Sequence, residues 1–534
     1  MQNSEKTLFR SASRFFSGTL LSRISGLGRE MAMAFCFGAH PALAAFMVAF
    51  RFANLFRRLG EGSVATAFIP HFETLRSSST KEGALFFRDL AYSLALFFSF
   101  FSILVMGILF VMMRWGGWTV EMKEILFLTL LMVPSIIFIS LYGLSGALLQ
   151  CHGRFFLSSF APAFCNFTWI LALFFLYNLD PHQAMPYLAC AIVSAFLVQC
   201  SVTWPFASRY LSSHLDFREK LMPRLFSSDV RRLLVPILLS VVGVGAVQIN
   251  SALDALFARA ATPEGPAHLW YAIRLQQLPL ALCGVALSAA LLPQLSRSMQ
   301  QGNLAEYVVL VQRGILRSFT LIFPITLAIL VLGLSSVNLI YGRGHFTAHD
   351  TVETLLCLWG YSIGLLPSVL ILLIVPAFYA RKEFRVPMWG AVFAVGLNTL
   401  CNAYFVFFLG WGAFSIALAT SVASWCNFWF LVSRLQRVVA VPLRQMIGPS
   451  LKTVLCAMIG AILALVGSYC VGDMTLPQLL GERGEEFPRA FTDQLFHFTL
   501  LALLFFVGTM GSAWLFKARE LLALVRIDRS YGEP

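Results

Sequence analysis

The chain has 534 residues, of which 58% are hydrophobic and only 12% are charged, and its mean hydropathy is +0.77. Because a soluble domain carries about twice that share of charged residues, the composition excludes a soluble globular protein. Long continuous apolar runs are typical of membrane-spanning helices, and they exclude a transmembrane barrel, whose strands alternate apolar and polar residues. The sequence therefore predicts an all-α integral membrane protein.

The predicted membrane spans recur along the whole chain. Two less hydrophobic helices come first, at residues 12–38 and 41–75. The uncharged run 386–433 is too long for one crossing, and Gly410-Trp411-Gly412 predicts a break that divides it into two spans. The other predicted spans, which bring the total to fourteen, are 91–113, 125–150, 155–179, 186–208, 233–253, 275–295, 318–341, 354–380, 453–472 and 494–516.

Lysine and arginine mark one side of the predicted membrane. If the N-terminus is cytoplasmic, the termini and every second loop hold 27 basic residues, whereas the opposite loops hold six. Both termini are therefore predicted to be cytoplasmic, without a cleaved signal peptide. The net charge of +13 follows from this topology, so no nucleic-acid partner is predicted. The basic loop near 209–232 is instead expected to meet the headgroups of anionic membrane lipids.

An internal repeat indicates two lobes. Residues 67–72 match residues 290–295 at an offset of 223, and the same offset places Arg51 on Arg274. Six helices separate the copies, so both have the same orientation, as in transporters with a site between two halves; chance similarity of apolar helices is the alternative. The predicted domains are an N-lobe of six spans (1–210), a C-lobe of six spans (211–440), and two accessory helices with a cytoplasmic tail (441–534).

Six arginines lie inside the predicted spans. An arginine in lipid costs at least roughly 2.5–3.5 kcal/mol, so six of them predict a polar cavity, and a basic cavity suits an anionic cargo. The acidic residues at comparable depth are only Glu30, Glu61 and Asp254, which leaves the membrane region positive. The arginines are Arg23, Arg29, Arg51, Arg57, Arg58 and Arg274.

Helical spacing predicts which of these side chains share a face. Arg51, Asn54 and Arg58 follow an i, i+3, i+7 pattern, whereas Arg57 points about 100° away. Gly60-Glu61-Gly62 is expected to interrupt the helix, and Glu61 to pair with one of the arginines. The alternative is that some arginines extend toward the membrane surface or form pairs that stabilise a lobe.

A second set of polar residues offers oxygen ligands. Asp254 is predicted near the end of the seventh span, Asn398 and Asn402 are four residues apart on the eleventh, and Thr420 follows on the twelfth. Such ligands suit a small hard cation such as Na⁺, and a polar contact between helices is the alternative. Motifs of hydrolases, zinc proteases and phosphate-binding loops are absent from the sequence. No enzyme activity and no cofactor other than Na⁺ are predicted.

The motifs carry a family resemblance. Residues 21–30 (LSRISGLGRE) resemble the first-helix motif S-R-x-x-G-x-x-R plus an acidic residue of the MurJ/MviN family, the lipid II flippases of the multidrug/oligosaccharidyl-lipid/polysaccharide exporter superfamily. Residues 54–58 (NLFRR) and 271–275 (YAIRL) resemble two further blocks of that family. The resemblance runs from about residue 10 to 440. Other matching segments are 67–70 (AFIP), 153–155 (GRF), 291–293 (LLP) and 378–381 (FYAR).

The resemblance implies roles for these residues. Arg23, Arg29, Arg57 and Arg274 would line a central cavity and hold the pyrophosphate of lipid II. The residues Asp254, Asn398, Asn402 and Thr420 would fall where some members of the family bind a cation. Three positions depart from the family, because Ala44, Ile273 and Gln277 stand where acidic residues are usual. The resemblance thus implies a more positive cavity, with fewer carboxylates to gate it.

Together these features predict a flippase that moves lipid II from the inner to the outer leaflet, with lipid II and membrane lipids as partners. Other cell-wall synthesis proteins are further candidate partners. Alanine at Arg23, Arg29 or Arg274 is expected to abolish transport with little loss of folded protein. The alternatives are export of another polyprenyl-linked glycan or of an amphipathic drug, and an intramembrane enzyme acting on polyprenyl phosphates.

Overall fold

The computed structural model describes the backbone of residues 2–439, 442–471 and 488–525. Within these ranges it describes all side chains except those of residues 2–16, 55–66, 234–247, 282–283, 285–286, 289–290, 443, 471 and 524–525. The described chain is helical and contains no strand, as the sequence predicted.

The helices follow one another with short connections. Two π-helical segments, Leu280–Val285 and Tyr404–Phe408, and a 3₁₀ turn at Leu443–Met446 interrupt the α-helical series. The α-helices are α1 (Gln2–Phe37), α2 (Pro41–Ser78), α3 (Thr80–Trp115), α4 (Val120–Met132), α5 (Ser135–Cys151), α6 (Phe155–Leu176), α7 (Pro181–His214), α8 (Phe217–Leu221), α9 (Ser228–Ala261), α10 (Gly265–Pro279), α11 (Ala286–Gln300), α12 (Leu304–Tyr341), α13 (Ala348–Ile363), α14 (Leu365–Ala380), α15 (Arg385–Ala403), α16 (Phe414–Val438), α17 (Ile447–Val471), α18 (Phe491–Leu515) and α19 (Arg519–Val525).

Local sequence explains where several helices begin. The Asp180 carboxylate accepts the N–H of His182 at 3.0 Å, and Pro181 occupies the first helical position of α7, where no N–H is needed. Thr347 and Asp350 cap each other reciprocally at the start of α13. Each cap satisfies a backbone donor that the helix itself leaves unpaired.

All fourteen predicted spans coincide with helices, but the number of crossings remains a prediction. In the described residues, nine helices are long and apolar enough to cross a membrane, or ten if the bent pair α4–α5 forms one span. The break predicted at Gly410 is present, because the π-helical end of one helix and the start of α16 flank residues 409–413. Gly410 has a φ of +64°, which glycine adopts without strain.

Two local expectations were wrong. Gly60-Glu61-Gly62 does not interrupt α2, whose backbone is helical from Pro41 to Ser78. The span predicted at 125–150 is not straight, since its two helices meet at an angle of 42°. Pro134 lies at that joint and lacks the N–H that a continuous helix would require.

The chain divides into two compact units, a first unit (Met1–Leu256) and a second unit (Phe257–Pro534). In the first unit, α6 packs on α1 and α7, and α5 packs on α2 and α7. In the second unit, α13 packs on α10 and α16, while α17 and α18 pack on each other and on α12. Each unit therefore has its own helix bundle, in which the candidate site residues can be located.

Candidate functional site

Arg29 is held in the first unit by groups from two helices. Its Nη1 donates to Asn166 Oδ1 at 3.0 Å, its Nη2 pairs with Glu30, and its guanidinium carbon lies 4.4 Å from the ring centroid of Trp169. The Arg29 side chain is 12% exposed and that of Glu30 is 2% exposed. The charge is therefore compensated by a carboxylate and by the negative face of an indole ring.

Asn166 on α6 fixes this part of α1. Its amide nitrogen donates to the carbonyl of Ser22 at 3.2 Å and to the hydroxyl of Ser25 at 2.9 Å, while its oxygen accepts from Arg29. The side chain spans about two turns of α1 and is itself buried. In the sequence, Asn166 was only one of the residues matching the family, and its structural role was not predicted.

Substituting Asn166 with leucine is expected to destabilise the first unit. The change keeps the size of the side chain but removes three hydrogen bonds, and a buried partner left unsatisfied costs about 1–3 kcal/mol. Unfolding of the purified chain in detergent measures the loss. Thr168→Val is the matched control, because Thr168 lies on the exposed side of α6 and bonds only within that helix. Equal stability of both variants would contradict the anchoring role of Asn166.

Arg23 differs from Arg29 in its surroundings. It lies six residues earlier on α1 and is exposed. Within the described ranges it makes no hydrogen bond or ion pair, whereas Arg29 is engaged on three sides. Of the two arginines on this helix, Arg23 is thus the one whose guanidinium is available to a ligand.

The predicted residues of α2 separate into two groups. The Arg51 side chain is buried, and its Nη1 donates to the carbonyl of Ser251 at 2.9 Å and to the Ser251 hydroxyl at 3.1 Å. This contact ties α2 to α9 and favours the alternative that Arg51 stabilises its lobe. Asn54 is half-buried. The side chains of Arg57, Arg58 and Glu61 lie outside the described residues.

Arg274 occupies α10 in the second unit. Its guanidinium carbon lies 4.1 Å from the ring centroid of Trp270, one turn earlier on the same helix, and its side chain is half-buried. Ile273 and Gln277, which stand where the family usually has acidic residues, flank it on α10. An aromatic face therefore stabilises the cation where this helix provides no adjacent carboxylate.

The predicted oxygen ligands are distributed over both units. In the first unit, Asp254 is buried and accepts a hydrogen bond from Asn250 at 3.2 Å. In the second unit, Asn398 and Asn402 are buried on α15, and Thr420 is half-buried on the adjacent helix α16. Within the described residues, no group of three or more His, Cys, Asp or Glu side chains has metal-site geometry. The donors of α15 and α16 are neutral oxygens, which suit a hard monovalent cation better than a transition metal.

Comparison with known proteins identifies relatives. The family described as "Lipid II flippase MurJ" matches residues 33–480. This range contains Arg57 and Arg274 but begins after Arg23 and Arg29. A "Probable lipid II flippase MurJ" of Chlamydia muridarum is 32% identical over 79% of this chain and 78% of its own. The "Lipid II flippase MurJ" of Burkholderia cenocepacia is 29% identical over 77% of this chain and 81% of its own.

Solved structures show the same fold. A lipid II flippase MurJ in an inward closed conformation superposes with a TM-score of 0.73 at 21% identity, covering 96% of this chain and 99% of its own. An inward-facing multidrug resistance transporter of the MATE family gives a TM-score of 0.62 at 13% identity, covering 81% of this chain and 99% of its own. The match to the family over most of the chain, together with these relatives, shows that this protein belongs to the MurJ lipid II flippase family.

Proposed function

We propose that this chain moves lipid II, the undecaprenyl-pyrophosphate-linked disaccharide-peptide, from the inner to the outer leaflet of the bacterial cytoplasmic membrane. The observation that carries the proposal is the pair of arginines on α1, one anchored and one exposed without a protein partner, in a chain whose relatives are named lipid II flippases. An unpartnered guanidinium on a mostly apolar chain requires an anion to offset its cost.

The cargo explains why arginines are needed. A guanidinium holds phosphate oxygens through two parallel N–H bonds, whereas an ammonium group offers a point charge. Arg23, Arg29, Arg57 and Arg274 would share the pyrophosphate, with Arg51, Asn54, Arg58 and Glu61 supporting the site from α2. The two lobes then alternate in opening to each side while the polyprenyl tail stays in lipid. An inside-negative potential opposes return of the anion by about 2.3 kcal/mol per charge per 100 mV.

The remaining features of the proposal follow from the charge distribution and the family. Both termini are placed in the cytoplasm, because the basic residues concentrate in that set of loops. The protein acts as a transporter and not as an enzyme, and its partners are lipid II, membrane lipids and cell-wall synthesis proteins.

The direct test is functional replacement. The chain is expressed in a bacterium depleted of its own flippase, and lipid II accessible at the outer leaflet is measured. Restored surface lipid II that is lost again with Arg274→Ala is the expected result. Arg437→Gln is the matched control, since Arg437 is exposed at the end of α16, away from the proposed site. Absence of restoration by folded protein in the membrane would transfer the proposal to another polyprenyl-linked cargo.

We further propose that Na⁺ binds among Asp254, Asn398, Asn402 and Thr420. These side chains fit the ion chemically, because they offer one carboxylate and three neutral oxygens. The Thr420 hydroxyl donates its proton to the Ile416 carbonyl at 3.1 Å, so its oxygen lone pairs are left to face a cation. When bound, the ion would supply a positive charge that balances the buried carboxylate of Asp254.

Sodium is expected to stabilise the purified protein against heating, since a ligand at 100 times its Kd adds about 2.7 kcal/mol. The measurement compares melting temperatures in NaCl and in choline chloride at equal ionic strength. Asp254→Asn and Asn398→Leu should each abolish the difference. Thr399→Val, on the same helix as Asn398, should retain it, because the Thr399 hydroxyl bonds only within α15. Sodium stabilisation that persists in Asp254→Asn would place the cation elsewhere.

A further inference from the structure

The first unit contains a cavity of about 1030 Å³ far along the chain from the α1 arginines. Its walls are the first turns of α3 and the segment 216–229, which connects α7 to α9 and which the basic-residue pattern places on the cytoplasmic side. None of the predicted substrate or cation residues lines it. The cavity is therefore separate from the proposed transport site.

The connecting segment is fastened to α3 by specific bonds. The Asp89 carboxylate accepts the backbone N–H of Arg224 at 3.0 Å, and the Ser93 hydroxyl accepts the N–H of Phe226 at 3.1 Å. Arg88 pairs with Asp89 and donates to the carbonyl of Glu219, and both charged side chains are buried. Phe226 has a φ of +52°, a strained conformation for a bulky residue that these bonds maintain. The cavity wall is thus a built structure.

Eight charged side chains line the cavity, and half of them are paired. Asp89 pairs with Arg88, Asp229 lies 3.7 Å from Arg232, and Glu219 lies 2.6 Å from Lys81. The hydrogen bond from Lys81 lowers the pKa of the Glu219 carboxyl, so that group is charged and engaged at neutral pH. The lining residues that make no ion pair within the described part of the chain are Glu82, Asp216, Arg218 and Arg224.

Two unpaired guanidinium groups and two unpaired carboxylates in one cavity match a zwitterion. An anion alone would leave the carboxylates uncompensated, and a cation alone would leave the guanidinium groups so. The phosphate of a zwitterion would be held by Arg218 and Arg224, because arginine binds phosphate through paired N–H donors. Its ammonium group would be held by Glu82 and Asp216.

The rim of the cavity indicates where such a ligand comes from. Phe217, Leu221 and Met222 are 77%, 60% and 62% exposed, and they lie on or directly after the short helix α8. Large apolar side chains next to basic residues are typical of segments that lie in the membrane interface. A ligand held here would therefore have its polar group in the cavity and its apolar part beside these three side chains.

We propose that this cavity binds the headgroup of a zwitterionic aminophospholipid of the phosphatidylethanolamine class. The phosphodiester contacts Arg218 and Arg224, the primary ammonium contacts Glu82 and Asp216, and the acyl chains lie beside Phe217, Leu221 and Met222. A choline headgroup lacks the N–H donors that the carboxylates require, and a glycerol headgroup lacks the positive charge. The site consequently selects an ethanolamine headgroup over both.

The test uses the purified full-length chain and lipids of defined headgroup. Retention of phosphatidylethanolamine, phosphatidylcholine and phosphatidylglycerol is compared by native mass spectrometry, with matched acyl chains. The ethanolamine lipid is expected to be retained about tenfold more strongly than the choline lipid. Arg218→Gln with Arg224→Gln should remove that preference, and Arg209→Gln, an exposed arginine on α7 outside the cavity, should not.

A second pair of substitutions separates recognition from misfolding. Glu82→Gln with Asp216→Asn removes the two carboxylates and should turn the preference toward phosphatidylglycerol, a reversal that a damaged fold does not produce. Equal retention of all three lipids by the unmodified chain would overturn the proposal. So would a preference for phosphatidylglycerol, which would indicate a general basic surface. These outcomes leave the proposed transport of lipid II unaffected, because retention is measured without cargo.

Discussion

Alanine at Arg23 is expected to reduce transport of lipid II about 100-fold while leaving the amount and thermal stability of the protein unchanged. Arg23 is exposed and makes no bond to the described part of the protein, so its removal breaks no packing contact. What is lost is a charge-assisted bond to the pyrophosphate, worth about 1.5–3 kcal/mol, and 2.7 kcal/mol corresponds to a factor of about 100.

Lysine at the same position provides the informative comparison. It keeps the charge but offers a single point of contact in place of two parallel N–H bonds. We expect Arg23→Lys to transport at a rate between those of the unmodified chain and of Arg23→Ala. Surface-accessible lipid II and the melting temperature are measured in the same membranes. Full transport by Arg23→Ala, with normal protein levels, would remove Arg23 from the site.

Much of the fold was predictable, because a helix that crosses a membrane must present an apolar run of sufficient length. The helices therefore fall where the hydropathy places them, and the break at Gly410 follows from a glycine that adopts a positive φ. Local geometry was harder to predict. Gly60 and Gly62 suggested an interruption of α2, yet the helix continues, since glycine lowers helix propensity without preventing a helix.

The site was predictable in its charges and not in its partners. A cation inside an apolar run is visible from the sequence alone, so Arg23, Arg29 and Arg274 were found. The groups that hold Arg29 come from α6, more than 130 residues away, and the partner of Arg51 lies 200 residues away. Such contacts depend on tertiary packing, which periodicity does not record. Only Trp270, one turn from Arg274, was within reach of a local argument.

The structure changes what is expected of Arg29. Sequence alone predicted that Arg29→Ala, like Arg23→Ala, would leave the fold intact. The structure instead predicts a loss of stability, because the substitution leaves Glu30, whose side chain is 2% exposed, without its cation. Removing one partner of a buried ion pair typically costs about 3–5 kcal/mol. Glu30→Leu is expected to be equally harmful, since it leaves the guanidinium of Arg29 unbalanced.

Combining the two substitutions separates stability from transport. A buried ion pair replaced as a whole by apolar side chains often costs little, so Arg29→Met with Glu30→Leu should be more stable than either single variant. Unfolding of all three in detergent gives the coupling energy, expected in the upper part of the usual range of about 0.5–3 kcal/mol. Additive losses would show that the pair contributes nothing as a pair.

The transport assay on the same double variant then decides the role of Arg29. If Arg29 contacts the pyrophosphate, the double variant folds and yet fails to move lipid II, because no cation remains at that position. If Arg29 only holds α1 against α6 through Asn166 and Trp169, restoring stability restores transport as well. Arg23 would then act alone on this helix, and its guanidinium, unlike that of Arg29, is already free of protein partners within the described chain.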